Sequence, residues 1–204
     1  MRDKMQTRSA PVQFETREEG GELYIEGYFS VFNTEYQLWN GASETVLPGA
    51  FSDTLSGDIR ALIDHDTRLV LGRTKAGTLE LREDSRGLWG RIKVNKNDVD
   101  AMNLYSRIQR GDVDQCSFGF DINQEEYVER DDGSVQWRIK AVTLYEVSVV
   151  TFPAYAETSV QARKAEYDQV QQRKQEVWKT AMHKRLKGER PNGIKSIDAA
   201  EASD

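Results

Sequence analysis

Val142-Thr143-Leu144-Tyr145-Glu146-Val147-Ser148-Val149-Val150-Thr151-Phe152 is the most strand-like run in the chain. β-Branched and aromatic residues fill it, and Pro153 ends it, because proline has no N–H to give to a sheet ladder. Ahead of it, residues 115–123 read as another strand, followed by a charged hairpin around Asp131-Asp132-Gly133. Residues 23–32, aromatic and β-branched after Gly20-Gly21, read as the first strand. Residues 33–49 then form a turn-rich loop. Residues 59–65, 69–74, 78–82 and 88–94 follow as a meander, separated by Asp-, Gly- and Ser-containing breaks. One helix interrupts the strands: Asn97-Asp98 can cap it, Ala101, Leu104, Tyr105 and Ile108 share a face at spacings of three and four, and Gly111 stops it. Many short strands with a helix between them predict an α+β, mainly β fold, a closed or nearly closed antiparallel β-barrel decorated with helices.

Composition sets the limits around that fold. The 204 residues suit one domain with an appendage, and with 38% hydrophobic and 30% charged residues part of the chain is expected outside the core. Residues 1–20 read as a flexible N-terminal arm and 21–156 as the barrel domain. Residues 157–190 read as a basic helical tail, rich in Gln, Lys, Arg, Glu and Ala, and 191–204 as a disordered C-terminus. With 28 Lys+Arg against 34 Asp+Glu the net charge is -6, which gives the whole molecule no electrostatic footprint for nucleic acid. Cys116 is the single cysteine, which rules out an internal disulfide and a cysteine-rich zinc site and suits a reducing cytoplasm. Residues 1–17 lack the apolar run of a signal peptide or membrane anchor, and no later stretch is apolar enough for a membrane span.

The chemistry narrows to a few side chains. Of the 2 histidines, His183 lies in the basic tail, so imidazole chemistry in the barrel domain falls to His65, which reads equally well as a surface histidine at a strand end. Alternation along Gln115-Cys116-Ser117-Phe118-Gly119-Phe120 sends Cys116, Phe118 and Phe120 to an apolar face and Ser117 and Gly119 to the other. Gly119 leaves room beside the hydroxyl for a substrate carbonyl, where a backbone N–H could hold an oxyanion. Glu146 shares a face with Val142, Leu144, Ser148 and Val150 by the same alternation. A carboxylate there needs a partner, such as an imidazole N–H, unless the strand lies at an edge and Glu146 faces water.

Taken together, the stretches Ile25-Glu26-Gly27-Tyr28-Phe29-Ser30-Val31-Phe32, Val46-Leu47-Pro48-Gly49-Ala50-Phe51, Leu62-Ile63-Asp64-His65-Asp66 with Leu71-Gly72-Arg73, Cys116-Ser117-Phe118-Gly119-Phe120 and Leu144-Tyr145-Glu146-Val147-Ser148-Val149-Val150-Thr151-Phe152-Pro153-Ala154 resemble the prohead proteases of tailed bacteriophages, in family order. That family is similar in fold to herpesvirus assemblin, whose site carries a second histidine; this sequence has none in the domain. The resemblance implies a serine endopeptidase with Ser117 as nucleophile, His65 as general base and Glu146 as the residue that orients it. Asp64, Asp66 and Asp121 compete for the third role, and Gly119 and Phe118 are the candidates for oxyanion or substrate contacts. It further implies a protein substrate, the major capsid protein precursor with its scaffolding segments, cleaved inside the assembling prohead in the host cytoplasm, together with self-processing, self-association and no cofactor.

Other classes fit less of the pattern. Cys116 as a nucleophile conflicts with its place on the apolar face. A metal phosphohydrolase needs several histidines or a carboxylate cluster, and a Walker-type phosphate loop is missing from the sequence. A non-catalytic capsid- or scaffold-associated protein that keeps the same barrel and docks through its basic tail is the remaining alternative.

Overall fold

The computed structural model describes residues 6–11, 14–152 and 157–187. The chain divides into two compact units, Met1–Val160 and Gln161–Asp204, and the first holds all the strands. Its backbone is organised by a long hairpin, β10 (Gln115–Glu129) and β11 (Val135–Val150), closed where Gly133 adopts a positive φ of 80°. The expected hairpin around Asp131-Asp132-Gly133 is present, and β11 begins well before the 142–152 run because Val135, Trp137 and Ile139 bury one face of its first half.

Five further strands build a sheet on this hairpin. β1 (Gln6–Pro11) runs antiparallel along the outer edge of β10. β5 (Ala42–Val46) pairs parallel with the first half of β11 and carries β4 (Tyr36–Trp39) antiparallel on its far side. β6 (Arg60–Ile63) pairs parallel with the last part of β11, and β7 (Asp66–Arg73) folds back antiparallel on β6. The second sheet has the order β2 (Glu15–Glu19), β3 (Glu22–Val31), β9 (Gly87–Val94), β8 (Leu79–Glu83), all antiparallel. The expected 59–94 meander is therefore split: β6 and β7 belong to the first sheet, β8 and β9 to the second.

The two sheets enclose one core. Ile25, Phe29, Leu88 and Ile92 from the second sheet join Phe118, Phe120, Val147 and Val149 from the first, with Phe51 edge-on to Phe118 at 5.4 Å and Phe118 stacked on Phe120 at 4.9 Å between centroids. Gly90 is needed where the walls are tightest, since a Cβ there would come within 2.6 Å of the Phe29 ring. α1 (Val99–Arg110) packs Ala101, Leu104, Tyr105 and Ile108 onto this core. The Asp98 carboxylate accepts the N–H groups of Asp100 and Ala101, and Gly111 takes the left-handed conformation at φ 85°, as the capping pattern of the sequence requires. The fold is thus α+β and mainly β. Among the described residues neither sheet closes on itself: the strands form two open sheets, so a closed barrel is not seen.

Residues expected as an arm or a loop are built in. Residues 1–20 were expected to be flexible, yet β1 and β2 are strands within this span. Arg8 on β1 is buried and forms a bidentate pair with the fully buried Glu44 on β5, through Nε to Oε1 and through Nη2 to Oε2 at 2.8 Å. Polar residues around Arg8 hide this strand from a hydrophobicity reading, and the burial of Arg8 depends on a partner far along the chain. The 33–49 loop likewise contains β4 and β5, with all of Ala42–Val46 buried.

α2 (Glu157–Leu186) begins at the end of the first unit, and its part in the second carries exposed Val177, Trp178 and Leu186. No helix among the described residues is long and apolar enough to cross a membrane. The disorder expected for 191–204 lies outside the described residues.

Candidate active site

Strand β6 ends at Ile63, two residues earlier than the sequence reading, and His65 sits on the turn that follows. Ile63 pairs with Asp66 across a two-residue loop whose central residues, Asp64 and His65, have φ of 48° and 61°. Positive φ at both positions is the signature of a type I′ turn, which suits the twist of a hairpin but strains a non-glycine residue by about 1 kcal/mol or more. Asp64 steadies the turn. Its Oδ1 accepts the Thr151 N–H at 2.7 Å, its Oδ2 accepts the Thr151 hydroxyl at 3.2 Å, and its own N–H donates to the Val149 carbonyl at 2.9 Å. The turn is thereby fastened to the end of β11.

From this turn the His65 ring reaches Glu146, with Nδ1 2.7 Å from Oε1. With the carboxylate ionised, Nδ1 carries the proton and donates it, which leaves the lone pair on Nε2. The second oxygen of Glu146, Oε2, accepts the Ser148 hydroxyl at 2.5 Å. The three competing aspartates are engaged elsewhere. Asp64 holds Thr151, and Asp121 accepts the Tyr145 hydroxyl at 2.7 Å. Asp66 binds Arg68, whose side-chain hydrogen bonds hold its carboxyl down at about 2.

Ser117 lies on the face of the sheet that carries Glu146. Across β10 and β11, Ser117 is opposite Ser148 and Gly119 is opposite Glu146, and directly paired residues share a face. A bulge creates this arrangement. The register shifts between Gly119 and Phe120, so that Phe120 pairs with Leu144 and Tyr145 becomes the extra residue. Leu144 therefore turns into the core beside Phe120, while Glu146 and Ser148 turn to the opposite face. Simple alternation had grouped Glu146 with Val142 and Leu144; the bulge separates them.

Ser117 and Ser148 are both 0% exposed and Glu146 is 4% exposed. Among the described residues neither the Ser117 Oγ nor the His65 Nε2 has a hydrogen-bond partner, and both atoms are buried. The structure thus brings His65 and Glu146 together and places Ser117 on their face, without a bond between serine and histidine in this conformation. Phe118 points into the core, edge-on to Phe51 and stacked on Phe120, so its side chain cannot meet a substrate and only its backbone remains available. Cys116 faces the core too, its thiol 3.3 Å from the Tyr28 carbonyl. His183 is exposed on α2. Sequence reasoning missed Ser148 and Thr151; the period-two spacing of Ser148 from Glu146 was a usable signal, whereas the Thr151 clamp exists only once the turn is folded. Among the described residues no group of His, Cys, Asp and Glu is arranged to hold a metal ion.

Comparison with known proteins bears on this geometry. Residues 10–173 match the family described as caudovirus prohead serine protease. The prohead protease of Enterobacteria phage HK97 is 31% identical over 151 residues, covering 72% of this chain and 63% of that protein. The chain therefore spans less than two thirds of the length of that relative. The bacteriophage T4 capsid assembly protease, gp21, superposes with a TM-score of 0.44 and 13% identity, over 74% of this chain and 96% of that chain. The match over 10–173 begins within β1 and runs through both sheets into α2, taking in His65, Ser117 and Glu146 alike, and by that match the chain belongs to the caudovirus prohead serine protease family.

Proposed function

We propose that this chain is a serine endopeptidase of capsid maturation in which Ser117 is the nucleophile, His65 the general base and Glu146 the residue that orients and charges the base. One observation carries the reading: the Nδ1 of His65 is bound to Glu146 at 2.7 Å, while its Nε2 and the Ser117 hydroxyl on the same face are buried and unpartnered among the described residues. A proton acceptor and a proton donor that lack other partners are what nucleophilic catalysis by serine needs. Ser148, a buried hydroxyl directly opposite Ser117, already donates to Glu146, which leaves Ser117 free to react.

The steps follow from these positions. Nε2 takes the proton from the Ser117 hydroxyl as Oγ attacks the scissile carbonyl, and the Glu146 carboxylate stabilises the imidazolium. The imidazolium then gives that proton to the leaving amine, and the acyl-enzyme is hydrolysed by a water activated in the same way. Backbone N–H groups near Gly119 and Phe118 are the oxyanion donors in this reading, and the chemistry requires no cofactor. Ser117 has no exposed surface, so a substrate strand must displace whatever covers that face before reaction.

The substrate in this reading is the major capsid protein precursor with its scaffolding segments, cut inside the assembling prohead in the host cytoplasm, together with the enzyme itself. The two sheets act as the walls of a nearly closed barrel around the shared core, and self-association in the crowded prohead accompanies activation. Co-expression of the capsid precursor with the wild type, Ser117→Ala and His65→Ala tests the assignment on a denaturing gel. Both variants are expected to leave the precursor and the protease uncut. Full burial of Ser117 favours one second reading, a non-catalytic capsid-associated protein that retains the fold; undiminished processing with both variants selects it.

A further inference from the structure

Glu146 is tied at both oxygens. One holds the His65 ring, and the other accepts the Ser148 hydroxyl at 2.5 Å. Ser148 is 0% exposed, lies two residues beyond Glu146 on β11 and sits directly opposite Ser117 across the hairpin. A carboxylate with one bonded oxygen can rotate about its last torsion and swing its charge away from the imidazole, whereas one held at both oxygens in a strand interior cannot. Removing one donor from a buried carboxylate also leaves an oxygen without solvation, which favours proton uptake by the Glu146–His65 pair.

We infer that Ser148 is a positioning residue for the reaction: its hydroxyl fixes the rotation of Glu146 and so aims His65 Nε2 at Ser117. The inference rests on the proposed triad and deepens it. The other groups facing Glu146 leave this task to Ser148. On β10 the opposing positions are Ser117 and Gly119, which do not titrate in the relevant range. On β6 the register partner is Arg60, whose guanidinium pairs with Asp58 at 3.3 Å. At the turn, Asp64 is held by Thr151.

The test uses the full chain and a fluorophosphonate, which phosphonylates an activated serine at phosphorus with loss of fluoride and needs no knowledge of the natural substrate. Labelling of Ser117 is followed by intact mass against pH in the wild type, Ser117→Ala, Ser148→Ala, Ser148→Cys and Ser148→Thr, with thermal melting run alongside. Ser148→Ala is expected to lower the plateau rate about tenfold and to move the acid limb of the profile up by about one pH unit, because the limb reports the coupled pair. Ser148→Thr, which keeps the hydroxyl, should restore the limb; Ser148→Cys, a near-isostere with a weak donor, should resemble Ser148→Ala and reads the effect if that variant does not fold. A lowered melting temperature with the plateau and limb unchanged in the Ala and Cys variants overturns the positioning role while the triad stands. Absence of labelling at Ser117 in the wild type overturns both.

Discussion

At the scale of single residues, the site depends on one carboxylate whose two oxygens do different work. Glu146 is 4% exposed, and its two oxygens are taken up by the His65 ring and the Ser148 hydroxyl. Glu146→Gln keeps the size but removes the charge that stabilises the imidazolium, and it can present an amide N–H to Nδ1 and so favour the wrong tautomer. Fluorophosphonate labelling of Ser117 is expected to fall on the order of 10³-fold with little change in melting temperature. The identity of this residue was legible in the sequence as a carboxylate inside an apolar strand. Its pairing with His65 was less so, because Asp64, Asp66 and Asp121 competed for that place and only the fold shows what each of them binds. Asp66, for instance, is taken by Arg68 two residues later, which no periodicity announces.

At the scale of elements, the β6–β7 turn is the device that carries His65, the proposed base, to Glu146. The sequence reading continued β6 through residue 65, since Leu-Ile-Asp-His alternates like any strand; the backbone instead reverses at Asp64-His65 with positive φ at both. Asn tolerates this conformation and can still accept from Thr151, so Asp64→Asn is expected to stay within about 0.5 kcal/mol of the wild type. Asp64→Val combines a β-branched residue at positive φ with loss of the Thr151 clamp. It should cost about 2–3 kcal/mol and slow Ser117 labelling, measured by denaturant melts and labelling kinetics. The bulge at Tyr145 is the second such device. It reverses the facing of β11 between Leu144 and Glu146, so one strand feeds the core in one part and the site in the next. α1 was fully legible, because its cap, its stripe and its stop are local signals that tertiary contacts reinforce.

At the scale of the whole molecule, the N-terminal strand is fastened into the first sheet by a buried ion pair. Arg8 and Glu44 belong to strands at separate places in the sheet, and β1 covers the edge of β10, the strand that carries Ser117. Glu44→Leu leaves the Arg8 guanidinium buried without its counter-charge and is expected to cost about 3–5 kcal/mol. Adding Arg8→Met should recover most of that loss, read from chemical denaturation of the single and double variants. The sequence by itself determined the class of fold: the strand runs and the capped helix are carried by local composition and spacing, which act before any long-range contact forms, while Ser117, His65 and Glu146 were singled out through the resemblance to a family. Only the tertiary structure decided which strands pair, where Arg8 of β1 and Glu44 of β5 are buried, and which face Glu146 occupies. Those outcomes depend on partners distant along the chain and on a register shift, and the free energy that selects them is realised only when the sheets assemble.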